Sequence, residues 1–265
     1  MTMTEREYSE LPGVRSSWLK VLHTKTPAHL REEIARPERD TEAFRIGRAI
    51  HTAVLRPDAW DDEWLVIPRL DRRTKAGKEE AARLATEAGD RYLIDEADAA
   101  MVTRIRTEVF AVAGDILRQA PLREWPVVGV IDGVAGKARV DACAPTGLML
   151  DLKSTLSAAP HAFARAAGSY GYLLQMAYYR MLMREMGMDD GPTILIAVEK
   201  SAPYAVGLYS LAPEQMAEME PRIRELLRLY QRCCDDNYWP AYQPEITTLR
   251  VPDWAVRGED TTDEV

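Results

Sequence analysis

The sequence predicts an α/β fold in which helices flank a mixed central β-sheet and a helical extension precedes the sheet. Short segments with alternating apolar residues, separated by glycine or proline, occur between 127 and 154 and again between 193 and 211, as expected for strands. Segments with apolar residues at helical spacing precede, separate and follow them. The 265 residues are 46% hydrophobic and 29% charged, which is typical of a folded globular protein.

The first 120 residues are predicted to be mainly helical. Helices are expected over 41–56, 79–88 and 95–119. Thr41 is placed as the N-cap of the first helix, and Pro57 would end it. Between the first two helices, DRRTKAGK at 71–78 is basic and contains glycine, which indicates a loop.

The sheet is predicted to begin after Pro126. Three consecutive antiparallel strands are expected at 127–133, 136–144 and 147–154, and two further strands at 193–200 and 204–211. One helix is expected over 160–187, with Gly168 and Gly171 inside it, and another is expected over 213–235. We expect a single domain over 1–255, with the sheet core in 121–255, and an acidic, disordered tail at 256–265.

Composition narrows the functional classes. The net charge of −8 disfavours a protein that coats nucleic acid through bulk positive charge, although a local basic patch remains compatible. The three cysteines include an adjacent pair and no C-x-x-C spacing, which argues against a zinc ribbon, an iron–sulfur cluster or a disulfide framework and favours buried free thiols. No secretory signal or membrane-spanning run is evident, so we expect a cytoplasmic protein without a membrane partner.

The segment GLMLDLKST at 147–155 places charged residues in an apolar strand. Side chains alternate across a strand, so Asp151 and Lys153 share one face. Pairing with the preceding strand would bring Asp141 close to Asp151. Two adjacent carboxylates repel unless a cation neutralises them, and Mg²⁺ or Mn²⁺ suits such oxygen ligands. Lys153 would then lie beside the metal and could assist an attacking water.

This pattern, an aspartate followed on the next strand by D-x-K, resembles the PD-(D/E)XK nuclease superfamily. By itself D-x-K is equally compatible with a solvated ion pair. Gly47 and His51 match the G-x-x-x-H element of RecB-like members, and Gln175 and Tyr179 match their Q-x-x-x-Y element. Without the resemblance, a structural histidine and a packed aromatic stripe would be the usual interpretations.

Several segments further resemble the exonuclease VIII (RecE)-type phage recombination exonucleases: SSWLKVLHTKTPAHL, FRIGRAIHTAVLRP, DRRTKAGK, DLKST, YGYLLQMAYY, NYWPAY and VPDW. The resemblance implies a restriction-endonuclease-like core. It implies that the metal ligands are His51, Asp141, Asp151 and the backbone carbonyl of Leu152. It also implies that Lys153 is the catalytic lysine and that Asp141, Asp151, Gln175 and Tyr179 belong to the catalytic residues. Gln175 could hold a substrate phosphate or orient the lysine.

Two residue assignments have alternative interpretations. Glu124, just before the first predicted strand, is a candidate additional metal ligand, although a surface glutamate is the more common outcome. The basic residues of 71–78 are candidate DNA contacts, although a solvated charge run is the usual interpretation; they are Arg72, Arg73, Lys75 and Lys78. The Gly-Lys in this stretch is not a nucleotide-binding P-loop, because Glu79 stands where serine or threonine is required.

The resemblance implies a Mg²⁺-dependent double-stranded DNA exonuclease, with Mn²⁺ as a substitute. It would digest in the 5′ to 3′ direction and expose a 3′ single strand for a RecT-like annealing partner. A ring-shaped homo-oligomer around the DNA is also implied. The alternatives are an endonuclease of the same fold, an inactive DNA-end-binding accessory protein, and a globular protein in which these polar residues are scattered on the surface.

Overall fold

A computed structural model describes residues 8, 10–36, 41–71, 73–243 and 245–251. Arg72 and the predicted acidic tail at 256–265 lie outside the described residues. The helices are α1 (Ser16–Thr24), α2 (Pro27–Ala35), α3 (Glu42–Leu55), α4 (Trp60–Glu63), α5 (Lys75–Ala88), α6 (Glu96–Gln119), α7 (Pro160–Ser169), α8 (Tyr172–Glu185) and α9 (Pro213–Asp235), with a 3₁₀ turn at Pro57–Ala59. The strands are β1 (Trp64–Ile67), β2 (Tyr92–Asp95), β3 (Leu122–Ile131), β4 (Val134–Cys143), β5 (Met149–Thr155), β6 (Thr193–Glu199) and β7 (Val206–Ser210).

The main sheet contains five strands in the order β3-β4-β5-β6-β7. Strand β4 is antiparallel to both β3 and β5, β5 and β6 are parallel, and β7 is antiparallel to β6. The parallel pair requires a long crossover, which α7 and α8 provide. This mixed sheet with flanking helices confirms the predicted fold class.

Two hydrophobic cores lie against the sheet. One contains buried residues of α1, α8 and α9, and the other contains buried residues of α3 and α6. Successive residues of β5 alternate between them: Met149 belongs to the first core, and Leu150 and Leu152 belong to the second. Helices α3 and α8 therefore lie on opposite faces of β5.

Several predicted boundaries are confirmed. Helix α3 begins after Thr41, whose hydroxyl accepts a hydrogen bond from the backbone N–H of Phe44, and it ends before Pro57. Helix α6 begins after Asp95, whose side chain accepts from the N–H of Asp98. Both aspartate and threonine oxygens satisfy N–H groups that a helix start leaves without partners. None of the described helices is long and apolar enough to cross a membrane.

The helix predicted over 160–187 is wrong as a single element. It is divided into α7 and α8, and Gly171 between them has φ +63°. This left-handed conformation interrupts a right-handed helix and favours glycine. The strand predicted from 127 begins instead at Leu122, so Glu124 lies inside β3.

The predicted loop at 71–78 is also shorter than expected. Helix α5 begins at Lys75, and the hydroxyl of Thr74 caps it by accepting from the N–H of Gly77. The parallel pair β1–β2 was not predicted, because four-residue strands give little periodicity. Tertiary packing stabilises this pair: the ring of Trp64 packs on the rings of Trp60 and Tyr92, with centroids 5.6 and 5.2 Å away. Among the cysteines, Cys234 is exposed, contrary to the expectation of buried thiols.

Candidate active site

The pairing between β4 and β5 ends where the two predicted aspartates lie. The ladder contains two pairs, Ala142↔Leu150 and Cys143↔Met149. The next position in this register would set Asp141 opposite Asp151. Instead, Oδ2 of Asp141 accepts a hydrogen bond of 2.8 Å from the backbone N–H of Leu152. A carboxylate thus takes the place of a backbone acceptor where the strands separate.

Helix α3 brings His51 to this point. Its Nε2 lies 3.0 Å from the carbonyl oxygen of Leu152. Its Nδ1 lies 3.6 Å from Oε1 of Glu124 and 3.7 Å from Oδ1 of Asp141. Each of these three side chains offers a ligand atom, and the ligand atoms lie within 4.8 Å of one another. His51, Glu124 and Asp141 therefore form a group that could hold a metal ion, which we call the ligand group.

Glu124 is buried, with 5% of its surface exposed, so its interpretation as a surface glutamate is wrong. It lies between the ladder positions of Arg123 and Trp125 on β3, opposite Asp141 in register, and has φ +45°. Its Oε2 is 2.7 Å from Nε of Arg139. Burial tends to raise the pKa of the Glu124 carboxyl, but His51 and Arg139 together hold that pKa below its ordinary value.

The charges of the ligand group are mutually dependent. Burial would lower the pKa of His51, but the carboxylates of Asp141 and Glu124 outweigh it and raise that pKa to about 9. Burial raises the pKa of Asp141 to about 6, even though His51 opposes the shift. A proton on the imidazole thus compensates buried negative charge, and a divalent cation could replace it. One imidazole nitrogen, two carboxylates and a nearby backbone carbonyl fit a Mg²⁺ or Mn²⁺ ion.

A second group of polar side chains lies beside the first. Nζ of Lys153 is 2.6 Å from Oδ2 of Asp151. The amide nitrogen of Gln175 donates to Oδ1 of Asp151 and to the hydroxyl of Tyr179, at 3.3 Å in each case. Burial would lower the pKa of Lys153, but Asp151 and then Asp141 raise it above its ordinary value, so Lys153 is cationic at neutral pH. We call Asp151, Lys153, Gln175 and Tyr179 the lysine group.

The structure divides the predicted residues between these two groups. Asp151 lies in the lysine group, with its carboxylate against Lys153, rather than among the ligand atoms that surround His51. Asp141 lies in the ligand group, and its interaction with the backbone of Leu152 connects the two.

Helix α1 supplies two members of the site that sequence reasoning missed. Nζ of Lys20 donates to Oε1 of Gln175 at 2.7 Å, and the hydroxyl of Ser16 lies 3.5 Å from that of Tyr179. The available signal was spacing: Ser16 and Lys20 are four residues apart, as are Gln175 and Tyr179. Only their packing shows that the two helices meet.

The basic residues at 71–78 are separate from both groups. Arg73 pairs with Asp71, and Nζ of Lys75 lies 3.8 Å from Oε1 of Glu79. The side chains of Arg73 and Lys75 are 91% and 92% exposed, and Lys78 is also exposed. In the described part of the chain, no hydrogen bond or ion pair joins them to the ligand group or the lysine group.

Comparison with protein families gives a match over most of the chain. The family model described as a PDDEXK-like domain of unknown function (DUF3799) matches residues 16–252, a range that contains every residue of the two groups. The five-stranded mixed sheet agrees with a restriction-endonuclease-like core. Among curated proteins, none has a sequence similar enough to be recognised as a relative.

Solved structures with related architecture include three named proteins. A protein from Eubacterium rectale called a "putative exonuclease" is 12% identical, with a TM-score of 0.59 over 98% of this chain and 99% of the other. A phage-related exonuclease from Haemophilus somnus 129PT is 13% identical, with a TM-score of 0.34 over 62% and 85%. LHK-Exo, in complex with dAMP, is 12% identical, with a TM-score of 0.32 over 74% and 96%. At such identities the likeness concerns the fold alone, and only the first superposition is close enough to support it.

Proposed function

This chain belongs to the PDDEXK-like domain family (DUF3799), and from that premise we propose that it is a divalent-metal-dependent nuclease that hydrolyses DNA phosphodiester bonds. The observation that supports this most strongly is the separation of β4 and β5 at two aspartates. At that point His51 and Lys153 approach Asp141 and Asp151. A histidine, crowded carboxylates and a buried lysine form the equipment for metal-assisted hydrolysis.

The ligand group would hold the cation. His51, Glu124 and Asp141 would supply side-chain ligands, and the carbonyl of Leu152 points to the same imidazole. The proposal includes Asp151 as a further ligand, whose carboxylate would contact the ion and keep its contact with Lys153. A bound divalent cation would polarise a phosphoryl oxygen and lower the pKa of water at the site.

The lysine group would act on the substrate. Lys153 remains protonated at neutral pH, because its pKa is raised by Asp151. Its ammonium group would therefore stabilise the negative charge that develops on the phosphate and orient the attacking water. Asp151 holds the ammonium from one side, and the ring of Tyr172, whose centroid is 4.9 Å from Nζ, supports it from another.

The finer assignment rests on the sequence resemblance to RecE-type exonucleases. We propose an exonuclease that acts on ends of double-stranded DNA in the 5′ to 3′ direction, with Mg²⁺ as its metal. The single domain over 1–255, the cytoplasmic location, the RecT-like annealing partner and the ring-shaped homo-oligomer belong to the same proposal. The name of the Eubacterium rectale neighbour agrees with exonuclease activity.

Linear duplex DNA labelled at its 5′ or 3′ end tests this proposal. Incubated with Mg²⁺, the wild type should release labelled nucleotides from the 5′ end first and leave covalently closed circles intact. Asp151→Ala should release none, whereas Asp115→Ala, at an exposed position of α6, serves as the matched control. Cleavage of closed circles would indicate an endonuclease, and end binding without nucleotide release would indicate an inactive accessory protein.

A further inference from the structure

Helix α1 presents a matched pair of polar residues to α8. Ser16 and Lys20 are one helical turn apart, and they meet Tyr179 and Gln175, which are also one turn apart. The earlier residue of α1 meets the later residue of α8, so the two helices run in opposite directions at this contact. Lys20 thereby reaches the lysine group from outside the sheet.

The hydrogen-bonding capacity of each group determines how the Gln175 amide is oriented. A lysine ammonium only donates hydrogen bonds, so the amide must turn its oxygen towards Lys20, which lies 2.7 Å away. An ionised carboxylate only accepts, so the amide must turn its nitrogen towards Asp151. The amide is therefore held at both ends, in a chain that runs from Lys20 through Gln175 and Asp151 to Lys153.

The aliphatic part of Lys20 is also held in place. It crosses Gly171, where a Cβ added to the glycine would lie 3.4 Å from the Cγ of Lys20. Its Nζ is 5.5 Å from the centroid of the Tyr172 ring, the same ring that contacts Lys153. Burial, and then the charge of Lys153, lower the pKa of Lys20 to about 8. Two lysines thus lie near one ring at an electrostatic cost, which an ordinary apolar contact between the helices would avoid.

We propose that Lys20 is a positioning residue of this site. It holds the amide of Gln175, and that amide in turn holds the carboxylate of Asp151. Asp151 then keeps the ammonium group of Lys153 directed at the reacting phosphate. This inference rests on the proposed nuclease function and adds to it a residue from a helix outside the sheet. Lys20 is not required to touch the substrate, so its effect should pass entirely through Gln175.

A double-mutant cycle tests that dependence. Lys20→Met and Gln175→Ala are made singly and together, and kcat and KM are measured on duplex DNA with Mg²⁺. Lys20→Met should lower kcat by about 10- to 100-fold, as is usual when a group that supports a metal-site residue is lost, and should leave KM unchanged. In the Gln175→Ala background the same substitution should change kcat by less than about twofold, because residues that act in series are not additive.

Two further variants control for folding. Lys25→Met changes an exposed lysine just after α1 and should leave kcat unchanged. Lys20→Arg keeps donors for the Gln175 oxygen and should recover most of the activity that Lys20→Met loses. If Lys20→Met does not fold, Lys20→Gln replaces it in the cycle, because its polar end stops one atom short of Gln175.

Three results would overturn the inference. One is a full loss from Lys20→Met in the Gln175→Ala background, which would indicate direct contact with substrate. Another is a lowered melting temperature with unchanged kcat, which would indicate a purely structural link between α1 and α8. The third is an inactive wild type, which would overturn the proposed function itself; the first two can arise only if the wild type is active.

Discussion

Two buried polar clusters, one around Arg180 of α8 and the other the ligand group of His51, Glu124 and Asp141, differ in how their charges are compensated. Near the starts of β5 and β6, Arg180 is 3% exposed. It donates to the carbonyls of Gly147 and Gly191 and to the hydroxyl of Thr193, at 2.7 to 2.9 Å. These acceptors are neutral, and the carboxylate of Asp190, 3.8 Å from Nε of Arg180, adds an anionic partner. This cluster is complete without any external group.

The ligand group has the opposite composition. Asp141 and Glu124 are buried acceptors, and their charges hold a proton on His51. Negative charge in a buried place is costly unless a cation compensates it. The comparison teaches that burial of a charge does not by itself indicate function. The useful distinction is whether the cluster is satisfied by fixed groups of the chain or holds a proton that a metal cation could replace.

The largest expected effect comes from the carboxylate that contacts Lys153. Asp151→Asn should lower kcat by at least about 10³-fold, equivalent to about 4 kcal/mol of activation free energy, because a neutral amide neither binds a cation well nor holds the ammonium. Nucleotide release from end-labelled duplex measures it. Retained activity would contradict this comparison, since it would show that Asp151, like Arg180, has only a structural role.

Arg180→Met should affect stability instead of chemistry. It leaves buried carbonyls without donors, so we expect a loss of about 3 kcal/mol in the free energy of unfolding, measured by urea denaturation. Below the denaturation midpoint, kcat should stay within about twofold of the wild type. A selective loss of kcat in fully folded Arg180→Met would erase the distinction between the two clusters.

The raised pKa of His51 makes metal binding depend on pH. An imidazole must be neutral to bind a metal ion. Metal binding at a pH below the His51 pKa of about 9 in the folded protein therefore displaces a proton. The apparent Mn²⁺ affinity should therefore rise by up to about tenfold per pH unit between 6.5 and 8.5, and then level off near 9. In the metal-free protein the same raised pKa stabilises the fold fully below about pH 6.5 and progressively less as pH approaches 9.

Calorimetric titration in buffers of different ionisation enthalpy measures this proton release. In His51→Ala the proton release from the imidazole should be lost, whereas release from Asp141 should remain and extend to higher pH, because His51 no longer lowers the pKa of that carboxyl. An affinity that is independent of pH in the wild type would show that His51 is not a ligand. It would leave the imidazole as a structural partner of the carboxylates.

The exposed lysines of α5 can be compared with the two buried clusters, because their charges are solvated. If Lys75 and Lys78 contact phosphates, replacing both with serine should weaken DNA binding by a few-fold and reduce the salt slope by about 2. Fluorescence anisotropy at several salt concentrations measures both quantities. Replacing Lys25 and Lys200 in the same way controls for the change in net charge. An unchanged salt slope would identify the two lysines of α5 as a solvated charge run.

The smallest predicted effect concerns Gly47, one turn before His51. A Cβ added at Gly47 would meet no atom within 4 Å, so packing within the chain does not require glycine there. Gly47→Ala should raise the stability of the protein by about 0.5 to 1 kcal/mol, because alanine favours helix interiors. Thermal denaturation measures the gain. A simultaneous loss of kcat would show that this face of α3 must stay open for the substrate.

Local sequence patterns predicted much of the fold because several elements are governed by nearby residues. Thr41 and Asp95 cap their helices through short-range hydrogen bonds. The alternating pattern of β5 gives Asp151 and Lys153 one face, and their contact of 2.6 Å agrees with it. The pair β1–β2 was not predicted because its stabilising ring contacts lie outside the window that a periodic pattern samples. The break at Gly171 was not predicted because helical periodicity does not report the left-handed φ of a single residue.

The amino-acid sequence by itself determined the fold class, the succession of the main strands along the chain, and the family resemblance that proposes His51, Asp141, Asp151 and Lys153 as site residues. The tertiary structure alone decided that Glu124 is buried beside His51 and that Lys20 reaches Gln175. The physical reason is distance along the chain: periodicity reports only which face a residue occupies on its own element. The packing of α1 on α8, and the register of β3 on β4, decide which faces meet.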